Sequence, residues 1–262
     1  IQKVADIELP RIQHQLEPLI AEAVSPADKW ETRVVVYWYY AMEEGAAGGS
    51  AVERLRVALD SRRGKAPAPV IGFTGTGGAG KSSVVDEIVR RTRRMHPEMT
   101  LGCLLVDPTR RRSGGALLAD RIRMNSIHGP GIFVRSLATR QANLALSLAV
   151  RDTIRVLQAA GFDRILVETA GIGQSDSEIV DLASVSVYVM TPEYGAPSQL
   201  EKIDMLELAD FVVVNKSDRS GAADALRDVR KQWRRNHDAA AAADDAVPVF
   251  PSIASRFCDP AR

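Results

Sequence analysis

Between an apolar run, Val70-Ile71-Gly72-Phe73-Thr74, and a helical pattern that starts near Lys81, the chain reads Gly75-Thr76-Gly77-Gly78-Ala79-Gly80-Lys81-Ser82-Ser83. Four glycines fall within six positions. Such a stretch leaves few options, because the backbone must leave a strand, bend through conformations that only glycine adopts freely, and enter a helix at once. Strand-to-helix alternation recurs downstream. Short apolar runs at 70–74, 101–106, 132–135, 164–168, 184–191, 211–215 and 247–251 alternate with helical patterns at 81–94, 141–160, 199–208 and 222–236. Alternation of this kind predicts an α/β fold, a mainly parallel sheet with helices on both faces.

In the bend, Gly75-x4-Gly80-Lys81-Ser82 fits the P-loop pattern in its required strand-to-helix context. Bare backbone N–H groups turn inward around phosphate oxygens, and the new helix adds the positive end of its dipole. Lys81 is expected to reach the β- and γ-phosphates, and the Ser82 hydroxyl to ligate Mg²⁺. The ordinary alternative is a flexible glycine turn.

A second motif names the base. Asn215-Lys216-Ser217-Asp218 closes the run Phe211-Val212-Val213-Val214, and open α/β sheets bind ligands beyond the carboxyl ends of their strands. Guanine presents two adjacent donors that one carboxylate accepts together, so Asp218 is expected to select it. Asn215 would bond nearby, and the Lys216 stem would lie along the ring. Two further strand ends carry acids. Asp107 opens Asp-Pro-Thr-Arg-Arg-Arg-Ser-Gly-Gly, with Asp120 downstream, and Glu168 opens Glu-Thr-Ala-Gly-Ile-Gly-Gln. Hard carboxylate oxygens beside a triphosphate suit Mg²⁺. Gly171 would offer its N–H to the γ-phosphate, and Gln174 would orient the attacking water. Among the crowded arginines 110, 111, 112, 121 and 123, Arg123 is the expected contact for charge on the phosphoryl group. Lys81, Asp120, Glu168 and Gln174 form the expected catalytic set. Arg90, Arg91, Arg93 and Arg94 read as a solvent-facing cluster that complements a helix dipole.

Composition narrows the setting. Thirty-four basic against thirty-three acidic side chains leave a formal charge of +1, too little to attract nucleic acid or membranes in general. The only cysteines, Cys103 and Cys258, supply neither a disulfide framework nor a C-x-x-C metal pair. IQKVADIELP lacks a signal-peptide pattern, and the longest apolar run, 34–42, is too short to cross a bilayer. A cytoplasmic protein is the expectation. The chain opens on isoleucine and no helical pattern comes after 247–251, which suggests excision from a longer polypeptide.

Residues 1–65 read as a helical arm or linker region ahead of the domain at 66–262. Ser25-Pro26-Ala27-Asp28 supplies a helix start. Trp30, Val34, Tyr37, Trp38 and Ala41 then share one face, while Val35, Val36, Tyr39 and Tyr40 make the other apolar as well. A strand over 34–40 stays open. Both a satellite core and a docking arm, for a partner or a second copy in a homodimer, fit that pattern. Ser50-Ala51-Val52-Glu53 forms a capping box ahead of Val52, Leu55 and Leu59, and Lys65-Ala66-Pro67-Ala68-Pro69 reads as a stiff linker.

Through these residues the chain resembles the metallochaperone subgroup of P-loop GTPases, and within it the G-protein chaperones of adenosylcobalamin-dependent acyl-CoA mutases. The stretches GTGGAGKSS, VDPTRRRSGGALLADRIRMNSI, RSLATR, VETAGIGQSD, YVMTPEYGAPSQLEKIDMLELADFVVVNKSD and ASRF are similar to the GTPase domain of fused isobutyryl-CoA mutases. The resemblance covers about residues 70–257. It implies a P-loop NTPase fold and GTP hydrolysis coupled to adenosylcobalamin loading and protection of such a mutase. It also implies phosphate contacts from Gly78, Ala79, Gly80, Lys81, Ser82, Ser83 and Arg123, Mg²⁺ ligation by Ser82, Asp107, Asp120 and Glu168, and guanine recognition by Asn215, Lys216, Ser217 and Asp218. Tyr194 to Asp204 matches the segment called switch III, which communicates with the mutase. No D-x-H-x-x-G cobalamin signature occurs, so adenosylcobalamin is expected in a partner or a further domain.

Two other readings compete. A nickel-type metallochaperone GTPase needs Cys/His ligands, yet His14, His96, His128 and His237 are dispersed. A non-hydrolysing interaction module would bind nucleotide only to hold a shape.

Overall fold

Seven strands, β1 (Val70–Gly75), β2 (Leu101–Pro108), β3 (Ile132–Thr139), β4 (Arg164–Glu168), β5 (Val185–Met190), β6 (Phe211–Asn215) and β7 (Val249–Ser252), form one sheet in the order β3-β2-β4-β1-β5-β6-β7. Every pairing is parallel. The computed structural model describes residues 56–57, 59–61, 66–108, 124–127, 129–139, 145–169 and 177–256. Helices α1 (Lys81–Met95), α2 (Ala145–Ala159) and α5 (Ala222–Asn236) are long, while α3 (Pro197–Leu200) and α4 (Met205–Leu208) are single turns. The expected α/β architecture is the one found. Among the described residues no helix is long and apolar enough to cross a membrane.

Strand order explains where a ligand fits. From β1 the chain crosses over β4 to reach β2 on one side, whereas β5 pairs with β1 on the other. The connections from the neighbouring strands β1 and β4 therefore leave in opposite directions, to β2 and to β5, and such a switch opens a crevice at their carboxyl ends. The loop after β1 lies at that point.

Alternation along the strands builds a core on each face. On one face Phe73, Cys103, Leu105, Leu166, Val187 and Val189 cluster with Val84, Val85 and Val89 of α1. Their opposite-facing neighbours Leu104, Val106, Ile165, Val167, Tyr188, Met190, Val212 and Val214 are also buried. A Cβ placed on Gly72 would come within 2.4 Å of Ile179, so the 3-10 turn Ser177–Ile179 lies against that second face. Helix α5 packs on β6 and β7.

By contacts the chain divides into two units, 1–68 with 147–162, and 69–146 with 163–262. In the first, residues 56–57 and 59–61 are helical, and Arg56 donates to buried Asp152 of α2, Nη2 to Oδ2 at 2.8 Å. Gln158 Nε2 donates to the Ala68 carbonyl at 2.8 Å, which fixes one end of the expected linker. The helix start at 25–28, the apolar segment at 30–41 and the capping box at 50–53 lie outside the described residues.

Three expected elements come out differently. The helix at 199–208 is two single turns, α3 and α4, joined by i→i−3 bonds from Lys202 to Gln199 and from Ile203 to Leu200. Apolar residues at 200, 203 and 206 recur every three positions, the period of a 3-10 turn, and Leu200 and Leu206 are buried by it. Strand β3 runs to Thr139 rather than 135, because its ladder with β2 continues through Arg135 and Ser136 whatever their polarity. Strand β7 starts at Val249 rather than 247, since Pro248 has no N–H for a ladder. The Pro248 carbonyl still accepts from Val212 at 2.9 Å.

Candidate functional site: a phosphate cradle tied to a base turn

The bend after β1 has the shape that its glycines predict. Gly75, Gly78 and Gly80 have φ of 141°, 74° and 90°, and Gly80 caps α1 in the left-handed region. Two of them also have neighbours that exclude a side chain. A Cβ on Gly75 would sit 1.9 Å from the Val189 carbonyl oxygen, and one on Gly80 would sit 2.5 Å from Asn215 Nδ2. Gly75→Ala is therefore expected to cost at least about 2 kcal/mol in strain, lowering Tm by about 4–8 °C for a chain of this size. Thermal denaturation with and without GDP measures it; an unchanged Tm would contradict the close approach.

Lys81 starts α1 and is 7 % exposed. Its Nζ donates to the carbonyls of Gly75 at 3.0 Å and Thr76 at 3.3 Å, so the ammonium spans the inside of the loop. One residue on, the Ser82 hydroxyl donates to Glu168 Oε1 at 2.7 Å. Glu168 ends β4, whose register places it beside Phe73 of β1. The cradle and this acidic strand end are thus one cluster, with lysine charge, hydroxyl and carboxylate side by side. Behind it, burial pushes the Cys103 thiol up to about 12, and the charges of Asp86 and Glu168 add to the effect. That thiol is inert at neutral pH.

From β6 the base turn reaches back to the cradle. Asn215 is 3 % exposed, and both ends of its amide are used: Nδ2 donates to the Ala79 carbonyl at 2.8 Å, and Oδ1 accepts from the Ala254 N–H at 3.1 Å. Lys216, at φ 59°, sends Nζ to the Gly78 carbonyl at 2.6 Å. Ser217 anchors the turn through N–H to the Ser252 carbonyl at 3.0 Å and hydroxyl to the Val214 carbonyl at 2.7 Å. Asp218, exposed, comes next after these tethers. Arg219 closes the turn through its N–H to the Lys216 carbonyl at 3.0 Å, and its guanidinium donates to Glu193. Hydrogen bonds from the Thr191 hydroxyl, from the backbone N–H of Glu193 itself and from Arg219 hold the Glu193 carboxyl down at about 2.

The structure therefore brings Gly78, Ala79, Gly80, Lys81, Ser82, Ser83, Glu168, Asn215, Lys216, Ser217 and Asp218 to one end of the sheet. For Asp107 it describes only the backbone, paired with Ala138 in β2 and β3. Asp120, Arg123, Gly171 and Gln174 lie outside the described residues. Among the described residues no three His, Cys, Asp or Glu side chains group as a metal site, and two of the four expected ligands, Asp107 and Asp120, have no described side chain.

Three participants escaped sequence reasoning. Glu193 and Arg219 carried no signal, since their partnership crosses 26 positions. Asp86 did carry one, an acid inside the apolar face of α1. The arginine cluster needs correction too. Arg91 Nε donates to Glu87 at 2.7 Å and Arg93 Nη1 to the Ser126 carbonyl at 3.3 Å, so neither merely faces solvent. Arg93 reaches the residues at 124–127 that pack on α1, whereas the Arg91–Glu87 pair lies within α1 itself.

A parallel sheet, a glycine cradle with its lysine and a tethered Asn-Lys-Ser-Asp turn define a P-loop GTPase. The chain belongs to the family described as methylmalonyl Co-A mutase-associated GTPase MeaB, which matches residues 42–252. It is 51 % identical over 218 residues to the fused isobutyryl-CoA mutase of Geobacillus kaustophilus, and 48 % identical over 255 residues to that of Cupriavidus metallidurans. Those matches cover 83 % and 97 % of this chain but 20 % and 22 % of the two relatives, so the chain spans about a fifth of their length. A solved structure described as a LAO/AO transport system kinase shares the fold, with a TM-score of 0.62 and 22 % identity over 92 % of this chain and 71 % of that one.

Proposed function

We propose that this chain couples GTP binding and hydrolysis to the loading and protection of adenosylcobalamin in an acyl-CoA mutase of the isobutyryl-CoA type, in the cytoplasm. The observation that carries the coupling is Asn215, whose amide joins the phosphate loop, the base turn and the loop at Ala254 into one hydrogen-bonded unit. Nucleotide bound at such a unit is felt by all three loops together. The mutase half of the proposal is supported by the relatives, which bear the name fused isobutyryl-CoA mutase and match this chain over a fifth of their length.

Mg²⁺ fits the donor set. Ser82 Oγ and Glu168 Oε1 are hard oxygens 2.7 Å apart at the foot of α1, and in this proposal Asp107 and Asp120 complete the ligands. When bound, the ion neutralises charge on the β- and γ-phosphate oxygens. Lys81 supplies a second, fixed charge to the same oxygens, and the N–H groups from Gly78 to Ser83 orient them. Arg123 meets charge on the phosphoryl group, Gly171 donates its N–H to it, and Gln174 positions the attacking water. Asp218 accepts both donors of the guanine edge.

The segment Tyr194 to Asp204, directly after Glu193, is the proposed route to the mutase. It is tied to the base turn through Glu193 and Arg219, and a Cβ on Gly195 would come 2.5 Å from that of Ala225 in α5. A partner that moves this segment acts directly on the guanine site.

Phosphate release from GTP, measured with the chain alone and with a cobalamin-dependent acyl-CoA mutase, tests the proposal. Turnover that changes several-fold when the mutase is added, together with recovery of mutase subunits on the immobilised chain, is the expected result. Tight GTP binding without turnover in either condition would favour a shape-holding module instead.

A further inference from the structure

Asp86 lies five positions after Lys81, on the face of α1 that also carries Val84, Val85 and Val89, and is 2 % exposed. A carboxylate in such a place is costly unless donors meet it. Two donors reach it from one short segment: the Asn125 N–H meets Oδ2 at 3.1 Å and the Ser126 N–H meets Oδ1 at 2.8 Å. Two turns further along α1, Arg93 Nη1 donates to the Ser126 carbonyl at 3.3 Å. The flanking side chains, Met124 at 2 % and Ile127 at 5 % exposure, sit in the same apolar cluster as Val84, Val85 and Val89. Residues 124–127 are thus fastened to α1 by two buried side chains, by a carboxylate accepting two adjacent amides and by a guanidinium on the next carbonyl.

That fastening lies at a particular place in the chain. Met124 directly succeeds Arg123, and Asp120 is three residues further back. Across one peptide the Cα–Cα distance is about 3.8 Å, so Met124 is the covalent anchor next to Arg123. The helix that holds Met124 is the one that begins with Lys81. We infer that Asp86 is a positioning residue for GTP hydrolysis: it fastens residues 124–127, which directly follow Arg123 in the chain, to the helix that presents Lys81 and Ser82. The inference rests on the proposed contact of Arg123 with the phosphoryl group. A carboxylate suits the task better than a neutral side chain, since its two oxygens accept two neighbouring N–H groups with charge assistance. An asparagine offers one acceptor and turns a donor toward the second amide.

The test uses the full chain with Asp86→Asn, Arg123→Ala, the double variant and Arg93→Gln, reading kcat for GTP and Kd for GDP. Misplacement of a catalytic group by about 1 Å can cost about 100-fold; for Asp86→Asn a fall in kcat of about 10-fold or more is expected, with GDP affinity held within about twofold because cradle and base turn are untouched. The double variant should be no slower than Arg123→Ala alone, as two changes on one route do not multiply. Faster hydrogen exchange in peptides covering Asn125 and Ser126 should accompany the loss. Arg93→Gln, at a half-buried site, keeps the buried carboxylate and its amides, and carries the test if Asp86→Asn does not fold; a fall of about 2- to 5-fold in kcat alone is expected. Effects of the two single variants that multiply in the double, or a GDP affinity that falls as far as kcat, would overturn the inference. So would unaltered kcat in folded Asp86→Asn and Arg93→Gln beside a crippled Arg123→Ala, which leaves the Arg123 reading standing. Wild-type kcat in Arg123→Ala would instead remove that reading itself, and the inference with it.

Discussion

Lys81→Met should lower kcat for GTP hydrolysis by at least about 100-fold, the scale of losing one preorganised charge or donor at a developing negative charge. Methionine is the sharper substitution than alanine, because Lys81 is 7 % exposed and a truncated side chain would also leave a gap beneath the loop. The ammonium does two things in the structure. It bridges the Gly75 and Thr76 carbonyls, holding the loop curved, and it places a full positive charge at the loop. Losing the first weakens binding of both GDP and GTP modestly, whereas losing the second acts on charge that builds up between the β- and γ-phosphates and so falls on kcat. Lys81→Arg should not rescue, since a planar fork does not fit where a compact ammonium spans two carbonyls. Single-turnover phosphate release with saturating nucleotide makes the measurement. A methionine variant within tenfold of the unaltered rate would mean that Lys81 only shapes the loop.

How far these roles were visible in the amino-acid order depends on whether the physics is local. The cradle was legible because its constraint is covalent: Gly75, Gly78 and Gly80 take positive φ, and a run of glycines between an apolar strand and a helix has few other uses. The sheet was legible for a similar reason, since apolar runs bounded by turn residues suit strands buried on both faces. Reading failed where period or pairing was ambiguous. Leu200, Ile203 and Leu206 are three apart, which a helix and a chain of 3-10 turns satisfy equally, and tertiary packing chose the turns. Long-range roles were hidden more deeply. Asn215 reads locally as a residue near the base, and nothing local records that its amide also bonds to backbone 136 and 39 positions away. Asp86 answers amides 39 and 40 positions downstream. No local pattern records such distances; only an acid among valines on one helix face gave a hint.

The division of labour around Asn215 sharpens what to expect of Asp218→Asn. One N–H of Asn215 goes to the Ala79 carbonyl and Lys216 Nζ to the Gly78 carbonyl, which leaves the second N–H of Asn215 for the base, and in the proposed site the Asp218 carboxylate selects guanine. Its neighbours hold the turn without it, through Ser217 to the Ser252 and Val214 carbonyls and Arg219 to the Lys216 carbonyl. Substitution at 218 should therefore leave the backbone in place and change only the edge that the purine meets. Asparagine exchanges one acceptor for a donor, which opposes a donor of guanine but matches xanthine, where a carbonyl replaces the exocyclic amine. GTP binding should weaken by at least about 100-fold, the scale on which sites built around hydrogen bonds reject a mismatched edge, or about 2.7 kcal/mol. Xanthosine triphosphate should gain by a similar factor. Because cradle, lysine and Glu168 are untouched, kcat for xanthosine triphosphate in the variant should approach kcat for GTP in the parent chain, so that specificity moves while the chemistry stays. A variant that still prefers GTP would show that guanine is read elsewhere, and one that binds xanthosine triphosphate but no longer hydrolyses it would show that the base turn also sets the geometry of the phosphates.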